Sequence, residues 1–183
     1  KFADPDLVAA DLIAQAEHDV NAQSILITSN KNLIPMVNLS LKRQLIKLPK
    51  KNIASKSLKN FGLAIHANSK KKILEAINTI APEHLELFTN MNTEIIKGVK
   101  NAGSIFIGKF SPEAIGDYIA GPNHVLPTSG SARFSSGLSV NDFLKRHSLI
   151  KIPKTGIERL GSSVINLAKH ENLDGHANSV KMR

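Results

Sequence analysis

Ser24-Ile25-Leu26-Ile27-Thr28 sets three large aliphatic residues side by side between small hydroxyl residues. A run this short, apolar throughout, reads as a buried strand of a sheet covered on both faces. Upstream, Asp4-Pro5-Asp6 is a helix start: Asp4 caps, Pro5 suits the first helical position and Asp6 complements the dipole. That helix is expected to run through Leu7, Val8, Leu12 and Ile13 toward His18. Downstream, Asn30 is the expected cap of an amphipathic helix through Leu33, Val37, Leu41 and Leu45 that ends before Pro49. The pattern then repeats. Gly62 to His66 reads as a second strand, Lys70 to Ile80 as a helix, and Leu85 to Phe88 as a short segment after Pro82. Asn92 to Val99 reads as a helix and Gly103 to Ile107 as a third buried strand. Strands and helices alternating at this spacing imply an α/β fold, with a mostly parallel sheet and helices on its faces. Lys1 to Ala3 reads as the end of a further strand.

Past Gly108 the texture changes. Gly116 to Ser139 is rich in Gly, Pro and Ser and long for a connection, which favours a functional loop. An extended arm, Asn141 to Ile152, leads to a helix reaching His170 and a short polar end. The 183 residues, 42% hydrophobic and 21% charged, fit one globular domain with an appendage. There is no cysteine, hence no disulfide framework, thiolate metal cluster or cysteine nucleophile, and a cytoplasmic setting is expected. No apolar run has transmembrane length, so no membrane partner is expected. The net charge of +9 raises the question of nucleic acid. The lysines are nevertheless dispersed, clustering only at Lys50–Lys51 and Lys70–Lys72, and Tyr118 is the single tyrosine. Solvated helix faces account for such charges, and no nucleic-acid partner is expected.

Residues able to do chemistry concentrate in particular places. Gln15 and His18 are three apart, so on a helix they would share a face and converge on one point; an amide oxygen and an imidazole are both usable metal ligands. The alternative is a polar helix end. Glu83-His84 after Pro82 offers a carboxylate and an imidazole for removing a proton from an alcohol or activating water, or else a surface turn. Gly116-Asp117-Tyr118 through Gly121-Pro122-Asn123-His124 brings an anionic ligand and an imidazole together in a glycine-punctuated stretch. Near the end, Glu171-Asn172-Leu173-Asp174-Gly175-His176 has a glycine that would end a helix and present His176 just beyond it. Gln15, His18, Asp117 and His176 form a mixed nitrogen and oxygen set of the kind that suits a catalytic zinc with positions left open for substrate. No G-x-G-x-x-G, P-loop, nucleophile elbow or H-E-x-x-H occurs, so no nucleotide-contacting residue is assigned in this chain.

Taken in order, these stretches resemble the histidinol dehydrogenase family. They are Asp11 to His18, Pro82-Glu83-His84-Leu85, Gly116-Asp117-Tyr118 through Gly121-x-Asn123-His124-x-Leu126-Pro127-Thr128, and Glu171-x-Leu173-x-x-His176. The resemblance runs from Asp4 to Val180. It implies oxidation of L-histidinol to L-histidine through L-histidinaldehyde with two NAD and a zinc ion. It implies Gln15, His18 and Asp117 as metal ligands from one subunit, and His176 as the ligand from a partner's exchanged tail in a homodimer. Glu83 and His84 would be the acid–base pair. Gln15, His18, His84, Asp117, His124, Glu171 and His176 would contact substrate, with Glu171 suited to its ammonium. The implied fold is an incomplete Rossmann-like, mostly parallel sheet with helices on both faces and an extended helical C-terminal tail. Residues 1–140 would be the C-terminal portion of the family's first domain, and 141–183 the arm and helical dimerisation tail. Ala81 stands where the family commonly has glycine. The family's enzyme is more than twice as long, with its nucleotide-binding part upstream, so the isolated chain is expected to lack dehydrogenase activity. The alternatives are a non-catalytic zinc-binding module, a nucleic-acid binder and a metal-dependent hydrolase.

Overall fold

The computed structural model describes residues 3–183. The strand end expected at Lys1 to Ala3 rests on Lys1 and Phe2, which lie outside the described residues. Contacts divide the chain into a first unit ending at Asp142 and a second, Phe143–Arg183.

In the first unit, α1 (Pro5–Ala16) begins as its sequence dictates, with the Asp4 carboxylate accepting from the Asp6 amide at 2.9 Å. Its apolar face, Val8 and Ala9, packs on Leu33 and Val37 of α2 (Leu33–Leu45). The same helix pair is tied by polar contacts: Asp6 accepts from Arg43 at 2.6 Å and from Ser40, and the Gln44 amide donates to the Asp6 carbonyl at 2.8 Å. The first helix stops at Ala16, so His18 lies in the following turn rather than on the helix as the spacing predicted. There Asp19 turns its carboxylate onto the Asn21 amide at 2.8 Å, a local bond that competes with helix continuation. Asn30 is likewise not the cap of α2. That position is Asn32, and the Asn30 side chain accepts from the Asn32 amide at 3.2 Å one step earlier.

β1 (Ile25–Thr28) pairs in parallel with β2 (Leu63–His66), Ile25 opposite Leu63, after a crossover through α2 and a further helix, α3 (Lys51–Phe61). Then α4 (Lys70–Ile80), capped by Ser69, ends at Ala81 in the left-handed conformation with φ +51°. β3 (His84–Leu87) pairs in parallel with β4 (Ser104–Ile107) across α5 (Asn92–Ile96). Ile77, Leu85, Leu87 and Ile95 form the core of this half, with Ile27 of β1 against them. The strands are thus all parallel, as the alternation implies, and are arranged as two pairs. They are less buried than their composition predicts: Leu63 is 53% and Ile107 48% exposed, each in a sheet of two strands among the described residues. α6 (Glu113–Tyr118) follows, so the stretch read as loop from Gly116 begins inside a helix.

The second unit holds α7 (Lys154–His170) and α8 (Asp174–Lys181), which pack where Gly161 lets Val180 approach. Gly175 does not end a helix. Asn172, at φ +59°, makes the turn, and Gly175 and His176 lie in the first turn of α8.

Candidate active site

The site gathers where α1, β3 and α6 meet. Two features fix β3 at this point. Ala81 ends α4 and starts the chain back through Pro82, and the Pro82 and Glu83 carbonyls accept from the Gly103 and Ser104 amides at 2.9 and 2.8 Å. Gly103 is required here by close approach, since a Cβ would come within 2.5 Å of the Glu83 oxygen.

His84, the first residue of β3, is held against Phe106 with ring centroids 5.9 Å apart, and its side chain is 12% exposed. Its Nδ1 lies 3.6 Å from Glu113 Oε1 and its Nε2 lies 3.6 Å from Asp117 Oδ1. Both ring nitrogens are buried without a hydrogen-bond partner among the described residues. His124 brings Nδ1 to 3.3 Å from the same Asp117 oxygen, and His18 Nε2 is 3.9 Å from Glu113 Oε1. Gln15 satisfies its amide when the nitrogen faces Glu113, 3.1 Å from both carboxylate oxygens. Glu113 and Asp117, one helical turn apart on α6, therefore form the hub of the cluster. A cavity of about 380 Å³ opens beside Asp117, between the exposed face of β4 and the loop at Pro122-Asn123.

The electrostatics follow from burial. Desolvation lowers the His84 pKa, partly offset by the charges of Glu83 and Asp117, which favours a neutral ring near pH 7. Burial raises Glu113 to about 7, with the neighbouring Asp117, Glu83 and Asp11 adding to the shift. Beneath it Glu86 is raised to about 8 by burial and by its hydrogen bond with Asp11, while Glu86 Oε1 accepts from the Glu113 amide at 2.8 Å.

Gln15, His18, His84, Asp117 and His124 thus come together, and Glu83 acts electrostatically on His84 and Glu113. Glu171 caps the C-terminus of α7 and His176 lies on α8, both in the second unit. Glu113, Glu86 and Asp11 were not singled out from sequence. The signal for Glu113 was its spacing of four from Asp117 after Pro112, legible only once that segment is taken as a helix.

His18, Glu113 and Asp117 each offer a ligand atom within 4.8 Å of the others. With the orphaned His84 nitrogens beside them, the donors fit a borderline cation and a polar substrate group. A parallel α/β scaffold bearing a buried imidazole–carboxylate cluster at strand and helix ends has the makings of a metal-assisted acid–base enzyme. The family model described as histidinol dehydrogenase matches residues 1–183, and the chain belongs to that family. It is 52% identical over 183 residues to the histidinol dehydrogenase of Pelagibacter ubique and 51% identical over 181 to that of Caldanaerobacter subterraneus. It covers 43% and 42% of those relatives' lengths, so it spans about two fifths of the curated proteins it matches. The crystal structure of histidinol dehydrogenase from Elizabethkingia anophelis superposes with a TM-score of 0.89 at 39% identity, over 98% of this chain and 41% of that one.

Proposed function

We propose that this chain carries the metal-binding and proton-handling part of an NAD-dependent dehydrogenase that oxidises L-histidinol to L-histidine through the aldehyde. The observation that carries the reading is the convergence of Gln15, His18, His84, Asp117 and His124 from separate sequence motifs into one buried cluster, in a chain of this family. Gln15, His18 and Asp117 would hold the metal, zinc by the chemistry of the donor set, with His176 supplied from the tail of a second copy. When bound, the ion would orient the imidazole and amine of the substrate. NAD, when bound, would supply the hydride acceptor for each of the two oxidations.

The remaining work falls to side chains. His84, kept neutral by burial, takes the hydroxyl proton of the alcohol as the hydride leaves carbon, and then that of the aldehyde hydrate. Glu83 adjoins it and takes a proton from the water that adds to the aldehyde. His124 contacts substrate beside Asp117, and Glu171 pairs with the substrate ammonium. Exposed apolar residues on the arm of the second unit, Leu149 at 95% and Ile150 at 77%, support a homodimer that covers them by tail exchange. The 183 residues alone carry no nucleotide fingerprint and are proposed to bind metal without turnover.

The test is His84→Asn in the full-length protein. NADH formation from L-histidinol should fall ~10²–10⁴-fold in kcat with metal content and KM little changed. Retention of wild-type kcat would remove His84 from the mechanism.

A further inference from the structure

Glu113 is the most buried carboxylate of the cluster, with its side chain 7% exposed, and the proposed function gives it neither a ligand nor an acid–base role. Its position is specific. Both oxygens lie 3.1 Å from the Gln15 amide nitrogen, Oε1 is 3.6 Å from His84 Nδ1, and the Glu113 backbone amide donates to Glu86 at 2.8 Å. Against an ionised Glu113, an amide turned the other way would set its oxygen against two acceptor oxygens without a donor. The ionised carboxylate therefore selects the orientation with the Gln15 amide nitrogen toward Glu113 and Gln15 Oε1 directed away from it.

We infer that Glu113 is a positioning residue for metal binding: it anchors the Gln15 amide nitrogen so that the amide oxygen faces the cation. An amide has nearly equivalent ends and is a poor ligand unless its orientation is locked, and an outer carboxylate supplies that lock. Glu113 also offers an oxygen to the His18–Asp117 ligand cluster, and the double-mutant cycle below separates anchoring of the Gln15 amide from direct ligation. The inference rests on the reading of Gln15 as a metal ligand.

The experiment is a double-mutant cycle in the full-length protein, reading zinc affinity by chelator competition and the visible absorption of the cobalt(II)-substituted form. Glu113→Gln should weaken zinc ~10–100-fold, the range typical for loss of such an outer partner. Gln15→Ala should weaken it as well, and the double variant should bind no more weakly than Gln15→Ala alone. Both single variants should shift the cobalt bands in the same way. Additive losses would make Glu113 an independent ligand and overturn the proposal, as would unchanged affinity in Glu113→Gln. Unchanged affinity in Gln15→Ala would instead overturn the ligand set itself. Gln15→Glu gives a reading that does not depend on Glu113→Gln folding. Facing Glu113 it has no amide nitrogen to donate, so zinc binding should weaken despite the better ligand charge, and tighter binding would overturn the proposal.

Discussion

Glu86 retains its proton at pH values where an ordinary glutamate has lost it. It is buried beneath the site, its protonated carboxyl donates to Asp11, and its other oxygen takes the Glu113 amide. Its pKa is raised from 4.5 to about 8, so between those values the folded chain holds a proton that the unfolded chain releases. Stability therefore declines as pH rises through that interval. Glu113, raised to about 7, adds to the decline in the same direction. His84 opposes them only below its ordinary value of 6.5, since its pKa is lowered and its contribution is complete above that point. The metal-free protein should thus show a falling unfolding midpoint from pH 6.5 to 8. Glu86→Gln, which keeps both hydrogen bonds but has no proton to lose, should flatten that slope. An equally steep slope in the variant, followed by thermal denaturation across pH, would show that Glu86 does not carry it.

Among the elements, the pairing of β3 with β4 has most effect on the site, because it fixes Glu83 and His84. Gly103→Ala drives a methyl group into the Glu83 carbonyl at the entry to that pairing. We expect a loss of about 1–3 kcal/mol by denaturant unfolding, together with weakened activity of the full-length protein from displacement of His84. A wild-type midpoint would mean the backbone shifts freely there. The same element was half legible in sequence. Leu85 to Phe88 gave a segment but not a strand, since only the partner Ser104 to Ile107 makes it one. The helices with strong caps or long apolar faces, α1, α4 and α7, could be read directly. α3 could not, because it buries only small residues, Ala54 and Ser57, under a lysine-rich exterior. The site shows the same division. Each motif was visible, yet Glu113 was not, because its segment carried the glycine and proline texture of a loop.

For the whole molecule, the proposed tail exchange makes a strict demand. If His176 serves the neighbour's metal, a site is built from the body of one subunit and the tail of another. In the full-length protein, His176→Ala and His84→Asn homodimers should both be nearly inactive. Mixed and allowed to re-pair, they should regain on the order of a quarter of the wild-type sites, because half the dimers are hybrids with one intact site. No recovery, measured as NADH formation after exchange, would place His176 on its own subunit's metal or on none.

The two strand pairs bear on how the isolated 183-residue chain behaves in solution. Among the described residues β1 pairs only with β2 and β3 only with β4, so each strand keeps one row of backbone donors and acceptors unspent. Beside those open edges lie Leu63 and Ile107. Such edges are templates for any other extended segment. In concentrated solution the isolated 183 residues should therefore drift toward intermolecular β-structure, seen as turbidity rising with concentration and time. Lysine at Leu63 or Ile107 should suppress it, as gatekeeper charges do on natural edge strands.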